Sequence, residues 1–442
     1  MRIRPRLWLP FVLALLLLAS ALLLAACDLS PAQPTTAPTV PTGATAAPQQ
    51  PTAAPTEPGP VEPAVITLTI WTTEAFSPTE ATVEGQILDQ QAAAFEASHS
   101  DVRIEFVLKK PYGKGGILDY LLTTSAVVPD LLPDVALIDV DELGAAVQAE
   151  LVYPLGDLMP PDLTGDLYAF AREAGTFEGQ LYGLQYWADL DHLAYNTGEM
   201  TVPPSSWPGV LSNPGPYLFP AGGQAGLVND DFLVQYLALQ DTISAEGPDD
   251  QPLDLDSLTA VLQFYQDGAS QGIFPPEILD YQTTDDSWEA YRDGEGTLSH
   301  VNSHRYLIDR ALLPSTAAAP IPTINGPGSS IGQGWALAVT TPDPARQALA
   351  AEFVTQMMAP ETNSAWNLAT NHLPTRQQAL ANWDQSDGYT RLLQDLLTAA
   401  QPRPHLDNYT QVTAALQQAV EAVLTGVLTP EEAAAEAIAG VE

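Results

Sequence analysis

Aromatic and carboxylate side chains recur together at the ends of apolar, strand-like runs in this chain. Trp71 and Glu74 follow the run 66–70. Asp139 and Asp141 close the run that begins at Asp134. Tyr186, Trp187 and Asp189 lie in GLQYWADLDHLAYN, residues 183–196. Trp335 sits inside 331–340, and Tyr409 lies near the C-terminus. Aromatic rings pack against the C–H faces of sugars, and fixed carboxylates accept from their hydroxyls, so the combination suits a polyhydroxylated solute. A cation such as a polyamine is the alternative, held by charge and by contact with ring faces. A lone ring packs equally well in a core and a lone carboxylate is equally well solvated. The joint placement at strand ends is what points to a site.

Other chemistries lack their residues. There is no Gly-rich phosphate loop, serine elbow, cysteine pair or HExxH. His300 and His304 are four apart, but 297–301 reads as a strand end and no carboxylate completes a zinc set. No metal or cofactor is therefore expected. Asp139 and Asp141 imitate a glycosidase pair, yet alternate positions on one strand fit capping or solvation better. A binding protein is expected, and a secreted glycoside hydrolase is the weaker alternative.

The rest of the chain must position these residues. Its 442 residues exceed what one core supports. The net charge is −39; residues 1–27 hold three arginines and no acid, so the remainder carries −42. Such a balance excludes binding to nucleic-acid backbones or lying on an anionic membrane. The single cysteine, Cys27, rules out an internal disulfide. It ends a leader with Arg2, Arg4 and Arg6, an apolar run from Leu7, and Leu24-Ala25-Ala26-Cys27. This reads as a lipoprotein signal with a lipobox, lipidated at Cys27. Residues 28–64 contain ten prolines and form an extended, disordered Pro/Thr/Ala-rich tether.

From Val65, strands alternate with helices. Strands are predicted at 66–71, 102–108, 134–140, 297–301 and 331–340. Helices are predicted at 82–98, 116–126, 141–150, 229–240, 255–271, 288–294, 344–358, 411–426 and 430–439. Ile117, Leu118, Leu121 and Leu122 are expected to face inward, and 202–220 is read as loop. The class is α/β with mixed, mostly parallel sheets, whose ligands sit beyond the strands' carboxyl ends.

In order and spacing, ITLTIW (66–71), LPDVALIDVDELGAAVQAELVYPL (132–155), YGLQYWADLDHLAYNTGEM (182–200), IGQGWALAV (331–339) and HLPTRQQAL (372–380) resemble family 1 extracellular solute-binding proteins. This is the maltose-binding-protein-like group serving ABC importers. The resemblance implies a two-lobe periplasmic-binding-protein-like fold with three hinge crossings, near 189–192, 332–335 and 373–374. Lobe one would be 65–190 with 336–373; lobe two, 191–335 with 374–442. It implies ligand contacts at Trp71, Glu74, Asp139, Asp141, Tyr186, Trp187 and Asp189. Asn302, His304 and the 405–409 segment would add contacts from the other side. It also implies a lipid-anchored monomer on the outer face of the cytoplasmic membrane, partnered by permease subunits; a sensory subunit is the alternative. Where the group often carries a stacking tryptophan, this chain has His304. That platform is smaller and more polar, which weighs against a long maltodextrin. Lys109, Lys110 and Lys114, the chain's three lysines, read as a solvated loop.

Overall fold

The computed structural model describes residues 65–441, apart from 79–80, 214, 241–242, 244–251 and 407. The leader with Cys27 and the 28–64 tether lie outside the described residues. Among the described residues no helix is long and apolar enough to cross a membrane.

Two sheets organise the body. The first has six strands in the order Leu373–Pro374, Gly183–Asp189, Gln333–Val339, Val135–Asp139, Ile66–Thr72, Val102–Leu108. Ile66–Thr72 alternates apolar and polar residues over its first part and pairs in parallel with Val102–Leu108 and Val135–Asp139. Val135–Asp139 is buried at every position, as a continuous apolar run should be when layers cover both faces. Helix Val83–Ser98 starts where Thr82 accepts from the Gly85 N–H, and its Leu88 and Phe95 are buried.

The second sheet has four strands, ordered Thr316–Ala319, Asp191–Asn196, Leu298–Asn302, Tyr217–Leu218. Only Leu190 separates Gly183–Asp189 from Asp191–Asn196, so one continuous segment belongs to both sheets. Gln333–Val339 and Leu373–Pro374 carry the chain back into the first sheet. Each sheet has its own apolar core. A third cluster joins them, in which Ala188, Leu190, Ala194 and Leu373 pack with Leu393, Leu396 and Leu397. The result is the expected two-lobe α/β fold.

Several expectations need correction. The sheets are mixed, but antiparallel pairings outnumber parallel ones among the described strands. The strands that return between lobes run against their neighbours. The 202–220 segment holds a short helix, Trp207–Leu211, and the edge strand Tyr217–Leu218. Leu122 is 45% exposed; Ile117 and Leu121 make the buried face. Helix Thr284–Arg292 starts earlier than read from sequence. Helices Pro360–Thr370 and Gly388–Ala399 were not anticipated.

Candidate functional site

A cavity of about 560 Å³ opens between the lobes. Asp139, Trp187 and Asp189 of the first sheet and Asp141 of the helix that follows Asp139 wall one side; Asp191 of the second sheet and Asp230 and Asp231 of helix Asp230–Leu237 wall the other. Trp335, His372, Arg403 and Tyr409 complete much of the lining. Its volume falls within the roughly 300–1,000 Å³ of small-molecule sites.

The aromatic wall is built by strand pairing. Trp335 stands opposite Trp187 across two antiparallel strands. Their rings lie 6.2 Å apart at 22°, and Tyr112 tilts against Trp335 at 5.4 Å. The pairing needs Gly334: its φ of +146° suits glycine, and a Cβ there would collide with the Trp187 carbonyl. Gln185 braces the same crossing, donating from Nε2 to the carbonyls of Trp187 (3.2 Å) and Gln333 (3.0 Å).

The polar wall is acidic. Asp139 caps helix Val140–Gln148, accepting the Asp141 N–H at 2.9 Å, and also accepts the Tyr112 hydroxyl. Asp230 opens helix Asp230–Leu237 and accepts from Gln333 Nε2 at 2.8 Å. Arg403 spans the gap between these two helix starts. Its guanidinium reaches Asp141 at 3.2 Å and Asp230 at 2.5 Å, so one side chain ties the two lobes. Asp231 accepts from His300, whose other nitrogen accepts from the Tyr217 hydroxyl, forming a buried brace behind the wall. Asp191 accepts from Asn302 Nδ2 at 3.0 Å.

Crowding of acids shifts their protonation. Burial pushes Asp139 up. Burial, with the Asp231 and Asp230 charges, pushes Asp191 well up. Burial raises Asp141 to about 6, against the pull of Arg403, and Glu142 to about 7, aided by the Asp139 charge. Asp141 is 38% exposed, so solvent moderates its effect. Each of these carboxyls holds its proton more tightly folded than unfolded. Their stabilisation is therefore present below the ordinary carboxylate range near pH 4 and is lost as pH rises through about 6 and 7. Asp254, Asp384 and Asp387 are shifted the other way, each aided by hydrogen bonds, and their support is lost only below that range. The melting temperature is expected to be higher at about pH 5 than at about pH 8, as scanning calorimetry would show. A flat or rising profile would contradict these shifts.

Of the residues singled out from sequence, the fold brings Asp139, Asp141, Trp187, Asp189, Trp335 and Tyr409 to the cavity. It does not place Tyr186 there. Tyr186 is fully buried among Phe76, Trp187 and Trp366, at a register shift where Trp335 pairs with Trp187 and Ala336 with Gln185. Trp71 is 6% exposed and packs under the Lys109 ammonium, 4.5 Å from its ring, while Tyr120 flanks the same ammonium at 4.4 Å. Thus Lys109 is sandwiched, whereas Lys110 and Lys114 are exposed. Glu74 is exposed on a short 3₁₀ turn, and its neighbour Ala75 lines the wall instead. Asn302 supports Asp191 from behind, and His304 stacks on His372 at 4.3 Å. His300 and His304 share no helix: the first lies in strand Leu298–Asn302, the second in helix Ser303–Asp309. Sequence reading missed Asp191, Asp230, Asp231, His372 and Arg403. The alternation Asp189/Asp191 was a usable signal; Arg403, in a loop between helices, offered none.

Residues 90–392 match the family model described as bacterial extracellular solute-binding protein. The chain belongs to that family. Its fold is similar to solved structures that cover nearly all of their own length. One is the cyclic α-maltosyl-1,6-maltose binding protein from Arthrobacter globiformis (TM-score 0.71, 21% identity, 86% of this chain and 98% of that one). Another is the maltose-binding periplasmic protein MalE from Listeria monocytogenes in complex with maltose (0.68, 15%, 85% and 97%). A third is the maltose-maltodextrin binding protein of Alicyclobacillus acidocaldarius (0.63, 14%, 85% and 99%). No significant match was found among curated proteins.

Proposed function

We propose that this chain is an extracytoplasmic binding protein that captures a carbohydrate by closing two lobes and delivers it to an ABC importer. The observation that carries the reading is the inter-lobe cavity, in which the paired Trp187 and Trp335 rings stand beside a rank of aspartates. The family and the sugar-binding structural neighbours support it. Lobe one is taken as 65–190 with 336–373, lobe two as 191–335 with 374–442. Ligand contacts to both would favour the closed arrangement over the open one. Cys27 would hold the protein, as a monomer, to the outer face of the membrane, with the 28–64 tether as spacer. The aspartates serve as acceptors, not as a catalytic pair, and no turnover is expected. Mass spectrometry of solute released from natively purified protein tests this. A mono- or oligosaccharide is expected; a non-sugar solute in stoichiometric amount would contradict it.

A second reading rests on one count. Among the described residues, six aspartates line the cavity against one arginine. A cationic solute such as a polyamine would relieve that imbalance. Its binding would weaken steeply with added salt, whereas a neutral sugar would not respond.

A further inference from the structure

Asp189, His304 and His372 converge from separate parts of the chain. Asp189 ends strand Gly183–Asp189, His372 precedes Leu373–Pro374 in the same sheet, and His304 opens the helix after strand Leu298–Asn302 of the other sheet. Each offers one ligand atom, and the three atoms lie within 4.8 Å of one another. From this geometry we propose a divalent transition-metal site at the back of the cleft, joining the two lobes.

The chemistry of the donor set selects the ion. Two imidazoles and one carboxylate suit Zn²⁺, Co²⁺ or Ni²⁺ better than Mg²⁺ or Ca²⁺, which prefer oxygen. His372 Nδ1 lies 2.9 and 3.0 Å from the Asp189 oxygens. Two ligands on a tetrahedral zinc, at roughly 2.0–2.2 Å each, stand about 3.3–3.6 Å apart, so this pair must spread by about half an ångström as the proton it shares leaves. His304 donates from Nδ1 to the Asn371 carbonyl at 3.3 Å. That bond leaves Nε2 with its lone pair, the arrangement in which a second-shell carbonyl sets the tautomer of a metal-binding histidine. Asn371 is in the left-handed conformation (φ +61°) at the end of helix Pro360–Thr370, which turns the chain so that His372 meets Asp189.

The rings of His304 and His372 are stacked, 4.3 Å apart at 13°. Parallel imidazoles cannot both aim lone pairs at one ion, so binding requires His304 to swing out of the stack. Among the described residues, the 3.3 Å bond to Asn371 is the hydrogen bond that holds its side chain, so the swing breaks that bond and the ring stack. The charge favours it: Asp191, Asp230 and Asp231 line the same cavity as Asp189 and His372. An ion here would link the first sheet to the second at the crossing.

The test needs no sugar and is independent of what the cavity carries. The untagged full chain, with Cys27→Ser throughout to remove the thiol, is titrated with Co²⁺ and followed by visible d–d absorbance, then challenged with Zn²⁺. Saturation at one equivalent with a tetrahedral spectrum, displaced by Zn²⁺, is expected. His304→Ala should weaken binding by about tenfold to a hundredfold or more. So should His372→Phe, which keeps a flat ring against Trp366 but offers no ligand atom. His99→Ala, on the helix pair bridged to Glu352, should leave it unchanged. Circular dichroism confirms that each variant is folded. No d–d band, or equal affinity in folded His304→Ala and His372→Phe, would overturn the site.

Discussion

Trp335→Ala is expected to weaken carbohydrate binding by roughly tenfold to a hundredfold and leave the protein folded. Trp187→Ala is expected to destabilise the fold itself by about 3–5 kcal/mol. The two rings are stacked neighbours on one wall, yet their burial separates their roles. Trp187 is 3% exposed and packs on Phe76 and Trp366, at 6.0 and 5.1 Å, so deleting it leaves a hole in the lobe-one core. Trp335 is only partly buried and meets the cavity. Its removal forfeits the apolar face offered to a ligand, about 1.5–3 kcal/mol for full burial of a large side chain. Losing the stack on Trp187 with it, about 0.5–1.5 kcal/mol, lowers stability modestly and leaves the fold intact. Thermal unfolding read beside ligand titration separates the cases. A Trp187→Ala protein as stable as the parent, or a Trp335→Ala protein that does not fold, would reverse this assignment.

Arg403→Ala should open the cleft. Arg403 is the cation bridging Asp141 and Asp230, and each of those carboxylates lies at the start of a helix on opposite sides of the cavity. Without it they repel. Removing one partner of a fully buried pair costs about 3–5 kcal/mol, while an exposed pair contributes about 0–1. Arg403 is 26% exposed, Asp230 9% and Asp141 38%, so a loss of about 2 kcal/mol, between those limits, is expected. Arg403→Lys should rescue only part of it, because an ammonium lacks the fork that reaches both acids at once. A larger radius of gyration by small-angle X-ray scattering, with a lower melting temperature, is the expected result. An unchanged radius and unchanged melting would show that the bridge holds nothing together.

The elements legible in the sequence were those with clean periodicity. Val135–Asp139 could be read as a buried strand because every residue is apolar until its last. Pro430–Ala439 was marked by Pro430 at its start, and its cap, Thr429, pairs with Glu432. Helix Pro360–Thr370 was hidden because its inner face is partly polar. Asn363 and Asn367 are buried there and donate to the Tyr186 carbonyl, so no apolar stripe appears. Tyr186 itself was misplaced because adjacent aromatics on a strand look alike in sequence, while both rings pack on Phe76 and Trp366 and only Trp187 also reaches the cavity. Asp230 and Asp231 read as ordinary helix-start acids; only the second lobe's approach turns them into a cavity wall. Arg403 and His372 acquire their partners through contacts more than 170 residues away along the chain, which no local pattern records.

The aromatic-walled cleft is expected to hold a carbohydrate. Isothermal titration of the protein and of Trp335→Ala against a panel of mono- and oligosaccharides, with spermidine as the cationic control, tests it most directly. Saturable one-to-one binding of at least one sugar, weakened at least about tenfold in Trp335→Ala and absent for spermidine, is the predicted result. Saturation by spermidine with no response to any sugar, or equal sugar affinity in the variant, would contradict it.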